Sequence, residues 1–192
     1  AGFASGGTEA TPLTLVTRDE IGQRVQDASI ADKAWLARQN FKANAGEVAW
    51  LADGSAMVGW DGRDNIASLG HLPTRLPEGH YAFTHGITDL QAVGWGLGAY
   101  QFDRYKKATR APALLSLADT NDFNAVMDKV CATQLTRNLI NTPSQDMAPS
   151  HLEAEAHALA ERFGAHIEVT VGDQLLDREC GAIHAVGRAA AD

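Results

Sequence analysis

The chain has 192 residues, of which 45% are hydrophobic and 21% charged, a balance typical of globular proteins and unlike that of disordered ones. Its formal net charge of −8 argues against a nucleic-acid-binding surface. No apolar run approaches the roughly 20 residues that a membrane helix needs, and the N-terminal residues lack the basic and apolar regions of a signal peptide. Two isolated cysteines, Cys131 and Cys180, suit a reducing compartment at least as well as a disulfide, so a cytoplasmic protein is expected.

The first part of the chain predicts a mixed α/β region. A short strand at 13–16 precedes a helix from about Asp19 and a second helix around Trp35 and Leu36. Further strands are expected at 47–51, 56–60, 66–69 and 81–83. Asp53-Gly54 indicates a hairpin turn between the first two of these, and Pro73 and Pro77 indicate a loop.

A capping box at Thr88-Asp-Leu-Gln91 predicts a helix from 89 to about 106. Three glycines, Gly94, Gly96 and Gly98, fall inside it. A phosphate-binding glycine loop has to open a helix instead, so these glycines predict close packing through small residues. Arg104, Lys106 and Lys107 are interpreted as a solvated helix end.

The second part of the chain predicts alternating strands and helices, which is typical of an α/β layer with parallel strands. A strand at 113–117 leads to a helix that begins near 121–122, long enough to bridge two domains, with Cys131 on its apolar stripe. Ser150-His-Leu-Glu153 predicts a capping box and Gly164 a helix end. A strand with Ile167, Val169 and Val171, a short helix at 174–177 and a strand at 182–186 follow.

No catalytic, cofactor-binding or metal-binding residue is predicted within the 192 residues. The seven histidines lack the spacing of a helical metal pair, and His184, within an apolar segment, is interpreted as a core residue. Cys131 has no activating neighbour, and Asn141-Thr142-Pro143 is interpreted as a structural helix end. Three glutamates are expected only to solvate their helix: Glu153, Glu155 and Glu161. The histidines are His71, His80, His85, His151, His157, His166 and His184.

Three segments, in this order and spacing, carry a resemblance to a known family. They are Gly98-Ala-Tyr-Gln-Phe-Asp-Arg-Tyr-Lys-Lys107, Arg137-Asn-Leu-Ile-Asn-Thr-Pro-Ser-Gln-Asp-Met-Ala-Pro-Ser-His-Leu-Glu153 and Ala182-Ile-His-Ala-Val-Gly-Arg-Ala189. Together they resemble the leucyl (cytosol) aminopeptidase family of two-metal exopeptidases. The resemblance covers the chain well from about Thr88 onward and only loosely before it.

The resemblance implies an α/β protein in three parts. Residues 1–120 would form a macro-like N-terminal α/β domain, 121–142 a connecting helix, and 143–192 the first α/β elements of the catalytic domain. It also implies a homohexamer that uses two zinc or manganese ions to release N-terminal amino acids from peptides. In such a site the two ions bind the free amine and the scissile carbonyl and activate a bridging water.

The family's Asn-Thr-Asp-Ala-Glu-Gly-Arg segment, which carries several of its metal-binding and catalytic groups, is absent from the sequence. The Gly-Lys-Gly segment that opens the site in that family is absent as well. The chain is therefore expected to be the N-terminal piece of a longer enzyme, to bind no metal by itself and to be inactive alone. The alternative is a non-enzymatic module for oligomerisation, regulation or ligand binding that shares the ancestry.

Overall fold

The computed structural model describes residues 2–4 and 9–189. Residues 1, 5–8 and 190–192 lie outside this description. The N-terminal segment in which the sequence predicts no signal peptide is therefore only partly described. The chain divides into two compact units, Ala1–Leu135 and Thr136–Asp192. Among the described residues, no helix is long and apolar enough to span a membrane.

The first unit is built on a five-stranded sheet with the order β2-β3-β1-β4-β5. β2 runs antiparallel to β3, and the other neighbours are parallel. Leu13 at its centre is in register with Ala56 on one side and Phe83 on the other. The strands are β1 (Thr11–Val16), β2 (Val48–Trp50), β3 (Ala56–Gly59), β4 (His80–Phe83) and β5 (Leu114–Leu115).

Helices flank this sheet, because alternate side chains of a strand point to opposite faces. In β3, Val58 belongs to a cluster that includes Trp95 and Val130, whereas Met57 belongs to a second cluster around Leu36. The helices are α1 (Ile21–Asp27), α2 (Ile30–Arg38), α3 (Leu72–Arg75), α4 (Asp89–Gly98) and α5 (Phe123–Asn141), and the division between the two units falls within α5.

The second unit contains a 3-10 turn at Ser144–Asp146 and then α6 (Pro149–Phe163), α7 (Gln174–Asp177) and α8 (Gly181–Gly187). The described residues of this unit form no strand. The predicted strands at 167–171 and 182–186, and with them a parallel layer in this part of the chain, are therefore wrong. The run at 182–186 is helical because its four apolar residues, interrupted by His184, fit either structure and Ala182 and Ala185 favour a helix.

Other predicted boundaries differ for local reasons. The segment 66–69 is a turn and not a strand, since the Ala67 N–H donates to Asn65 Oδ1 at 2.8 Å and so fixes a bent backbone. Pro73 lies within α3 instead of a loop, because proline is tolerated in the first helical turn. β5 is two residues long, shorter than the predicted 113–117.

Two helix ends also depart from prediction. The α4 helix stops at Gly98 and not at about 106. It ends there because the glycine-rich sequence has low helix propensity and the backbone at Gly98 packs closely against Gly70. The α6 helix begins at Pro149, so Ser150 is not its N-cap; the Ala148 N–H donates to His151 Nδ1 at 3.2 Å. Its predicted end is confirmed, with Gly164 in the left-handed region at φ +62°.

Candidate functional site

A cleft lies outside the carboxyl ends of β1 and β3. It consists of two adjoining cavities of about 460 and 530 Å³ that share Ala45, Trp60 and Asp61. In α/β proteins, ligands bind preferentially outside the carboxyl ends of the strands, where loops converge on a rigid sheet. We define the cleft by the residues that line it: Thr17, Arg18, Asp19, Ala43, Ala45, Gly46, Trp60, Asp61, Gly62, Asn65, Ala67, Ser68, His71 and Arg75.

One wall of the cleft is the loop between α2 and β2, which is fixed from within. The Glu47 carboxylate accepts from the Asn44 side-chain amide, from the Lys42 N–H at 2.9 Å and from the Asn44 N–H at 3.1 Å. The Asn44 side-chain bond, followed by the two backbone bonds, lowers the pKa of Glu47. Asn40 and Ala43 have positive φ angles of 49° and 55°, which non-glycine residues seldom adopt. Ala43 is fully buried, so the surrounding structure holds this unfavourable conformation in place.

The opposite wall is the loop from Asp61 to His71, which is also held at several points. The Arg63 N–H donates to Asp61 Oδ1 at 3.1 Å, and Ser68 Oγ donates to the Arg63 carbonyl at 2.8 Å. Thr88 Oγ1 donates to Asp64 Oδ1 at 2.6 Å and so joins the loop to the start of α4. Both walls are thus preorganised around the cleft.

His71 stands out among the polar groups of the cleft. Its Nε2 is buried and has no hydrogen-bond partner in the described part of the chain. Burial lowers the pKa of His71 below 6.5, and the nearby charge of Arg75 lowers it further, which favours the neutral imidazole. Nearly all buried polar atoms in native proteins are paired, so this nitrogen calls for an explanation.

The histidines judged unsuitable as metal ligands from sequence are kept apart by the fold or engaged locally. His157 lies 3.6 Å from Glu153 Oε1 on exposed α6, and His85 Nδ1 lies 3.1 Å from Thr84 Oγ1. His184 is paired, 3.0 Å from Asp173 Oδ1, but it lies on a helix and not in a strand. Across residues 2–4 and 9–189, no group of three or more His, Cys, Asp and Glu side chains is placed to hold a metal ion.

The glycines of α4 support the interpretation as packing residues. A Cβ built at Gly94 would lie 2.0 Å from the Ile66 carbonyl oxygen, and one at Gly96 would lie 2.6 Å from Val130 Cγ2 on α5. Close approach of backbone and side chains therefore requires glycine at these positions, and the predicted close packing is confirmed. Both cysteines are free thiols, each partly buried.

Sequence reasoning did not single out the cleft. The residue types and spacing of Trp60, His71 and Arg75 match no known ligand motif. Only the sheet topology brings their loops together. The available signal was Trp60, a large aromatic residue at the end of the predicted strand 56–60, at the edge where parallel strands place their functional loops.

The second unit has a different character, because its large hydrophobic side chains are exposed. Only Thr142 is buried among residues 136–189. Phe163 at the end of α6 is 67% exposed and Val186 on α8 is 77% exposed. The exposed large hydrophobic residues are Ile140, Leu152, Leu159, Phe163, Val169, Val171, Leu176, Ile183 and Val186.

Family profiles match both parts of the chain. The M17 aminopeptidase N-terminal domain matches residues 11–118, and the catalytic domain of the cytosol aminopeptidase family matches residues 134–192. A relative named a probable cytosol aminopeptidase, from Aquifex aeolicus, is 28% identical over 83% of this chain and 33% of its own length. The chain spans 23% to 38% of the length of the curated relatives that it matches.

Solved structures show the same fold. The cytosol aminopeptidase of Coxiella burnetii has a TM-score of 0.86 and 25% identity, over 98% of this chain and 43% of that one. The bottromycin maturation enzyme BotP shares the fold with a TM-score of 0.70 and 21% identity, over 96% of this chain and 44% of that one. The predicted α/β fold class is confirmed.

The chain has a mixed five-stranded sheet, followed in sequence by a segment that matches the start of a peptidase domain. These features place the protein in the class of α/β aminopeptidases. The chain belongs to the M17, or cytosol aminopeptidase, family.

Proposed function

We propose that this chain is the N-terminal portion of a leucyl aminopeptidase, an exopeptidase that releases N-terminal amino acids from peptides. The observation that carries the proposal is the tandem order of the two family matches, with the N-terminal domain at 11–118 and the catalytic domain from 134. In domain terms, residues 1–120 form the N-terminal domain, 121–142 the connecting helix and 143–192 the beginning of the catalytic domain. The position of α5, at Phe123–Asn141, supports this division.

M17 peptidases are metalloenzymes, and we propose that the whole protein uses two divalent ions, zinc or manganese, to activate water and polarise the scissile carbonyl. The described residues do not fit such a centre, since they hold no suitable group of ligands. We propose no catalytic or metal-binding role for any residue of this chain, and we propose that the chain alone is inactive. A cytoplasmic location and a homohexameric assembly belong to the same proposal.

The exposed apolar side chains of the second unit support this reading. Leu159, Phe163 and Val186 resemble core residues in type but remain 42%, 67% and 77% exposed in the described chain. Exposed apolar surface on this scale marks an interaction site. We propose that further chain of an M17 catalytic domain packs on it.

The test is a peptidase assay with leucine p-nitroanilide, with and without added Mn²⁺ or Zn²⁺. The 192-residue chain is assayed alone and after co-expression with the part of the Coxiella burnetii enzyme that follows the aligned region. We expect no turnover by the chain alone, and co-purification with metal-dependent turnover in the mixture. Turnover by the chain alone would overturn its proposed inactivity, and a mixture that neither co-purifies nor turns over substrate would count against the parent enzyme.

A further inference from the structure

We propose that the cleft outside β1 and β3 binds a small organic anion, whose carboxylate or phosphate group lies between His71 and Arg75 and whose flat apolar part packs on Trp60. Every lining residue lies between Thr17 and Arg75, within the part that matches the N-terminal domain. The inference therefore does not depend on the proposed peptidase activity.

The size and construction of the cleft suit a small molecule. Small-molecule sites usually measure about 300 to 1,000 Å³, and the two cavities fall within this range at about 460 and 530 Å³. Both walls are fixed by hydrogen bonds before any ligand arrives, which reduces the entropy lost on binding. The positive φ of buried Ala43 is the kind of backbone strain that concentrates at ligand sites.

The unpaired nitrogen of His71 supplies the polar contact. His71 Nε2 lies beside Gly46, where an added Cβ would come within 3.7 Å of it, so the side chain and the glycine line the same cavity. A buried imidazole nitrogen without a partner destabilises the protein, and in the tautomer with the proton on Nε2 a ligand oxygen that accepts a hydrogen bond from it would remove that cost. The empty hydrogen-bonding position is thus a recognition element.

The charge of Arg75 favours an anionic ligand beside His71. Arg75 is exposed, and no carboxylate in the described part of the chain pairs with it. Arg75 and His71 line the same cavity, so an anionic group between the two would meet one cation and, with the proton on Nε2, one N–H donor. Two carboxylates, Asp19 and Asp61, also line the cleft. The Asp61 carboxylate accepts from the Arg63 N–H and lies 3.9 Å from Arg63 Nε.

Trp60 decides the shape of the ligand. It is half-buried and lines both cavities, which places an indole at the centre of the cleft. Aromatic side chains contribute a large apolar surface that favours flat partners. A ligand with an aromatic or similarly planar body and one anionic end fits this combination.

The probes are phenyl phosphate and phenylacetate, with phenylacetamide as the neutral counterpart and inorganic phosphate as an anion without a ring. Binding is followed by calorimetry and by the ¹⁵N signals of the His71 ring, assigned by comparison with H71Q. We expect one or both aromatic anions to bind and to shift the His71 signals, and phenylacetamide not to bind. Which of the two binds more tightly distinguishes a carboxylate from a phosphate ligand.

The matched variants are R75Q and R38Q. Each removes one cation from the last residue of a helix, but Arg38 lies outside the cleft. We expect R75Q to weaken binding about tenfold or more and R38Q to leave it within about twofold. Equal effects of the two variants, binding without a change at His71, or no binding of either aromatic anion would overturn the proposal. Inorganic phosphate binding as tightly as phenyl phosphate would overturn the role of Trp60.

Discussion

Gly98 shows how a single hydrogen atom in place of a side chain shapes the first unit. A Cβ built at Gly98 would lie 1.7 Å from the Gly70 carbonyl oxygen and 2.6 Å from the Gly70 carbonyl carbon. Both contacts are with backbone, which cannot swing aside as a flexible side chain can. The glycine therefore allows α4 to approach the loop that forms one wall of the cleft.

We expect Gly98→Ala to destabilise the first unit by about 1 to 3 kcal/mol, the usual cost of overpacking. The measurement is urea unfolding followed by tryptophan fluorescence. All four tryptophans, Trp35, Trp50, Trp60 and Trp95, lie in the first unit. The control is Gly22→Ala on exposed α1, where nothing lies within 4 Å of the added Cβ, and which is expected to be neutral or slightly stabilising. An unchanged midpoint for Gly98→Ala would contradict the close contact.

At the scale of single elements, α4 connects the core to the cleft. Thr88 Oγ1 accepts from the Gln91 N–H at 3.2 Å, and Gln91 Oε1 accepts from the Thr88 N–H at 3.0 Å. The following residues of α4 are buried. Trp95 is fully enclosed, and its Nε1 donates to the Gly2 carbonyl at 3.0 Å. Thr88 therefore fixes the start of the helix while its bond to Asp64 holds the loop beside the cleft.

Thr88→Ala is expected to destabilise the first unit by about 0.5 to 2 kcal/mol, the range for loss of an N-cap. Because the same hydroxyl also donates to Asp64, the effect should fall in the upper half of that range. Thr88→Ser keeps the hydroxyl and serves as the control, with a midpoint close to that of the wild type. The same urea experiment reports both variants, and identical midpoints for the two would show that the cap contributes little.

For the whole molecule, the two units differ in how they bury their apolar side chains. The first encloses a core around Leu13, Val58 and Trp95, whereas residues 136–189 leave their large hydrophobic residues exposed. Apolar surface left in water favours association. The second unit should thus govern how the isolated chain behaves in solution.

We expect the isolated chain to self-associate, and the double substitution Phe163→Ser with Val186→Ser to shift it toward the monomer. Size-exclusion chromatography with light scattering measures the mass over a concentration series. The control is Ile30→Ser, since Ile30 is 88% exposed but lies in the first unit and is expected to leave the mass distribution unchanged. A wild-type chain that stays monomeric throughout the series would contradict this expectation.

Local sequence signals predicted the local features well. The capping box at Thr88, the hairpin at Asp53-Gly54 and the helix end at Gly164 each depend on a few adjacent residues, and all three are present. The strand predicted at 182–186 failed because so short a segment, with four apolar residues and one histidine, carries no period that separates strand from helix. The capping box at Ser150 failed because the helix begins at Pro149, with Ala148 as its N-cap, two residues earlier than predicted.

The sequence by itself determined the α/β class, the order of most elements in the first unit and the family, since these follow from periodicity, caps and ordered motifs along the chain. Tertiary structure alone decided the sheet order, the buried and unpaired Nε2 of His71 and the meeting of Trp60, His71 and Arg75 in one cleft. The physical reason is that parallel strand pairing joins residues distant in the chain, as Leu13 joins Ala56 and Phe83. No local pattern encodes which loops such pairing brings together.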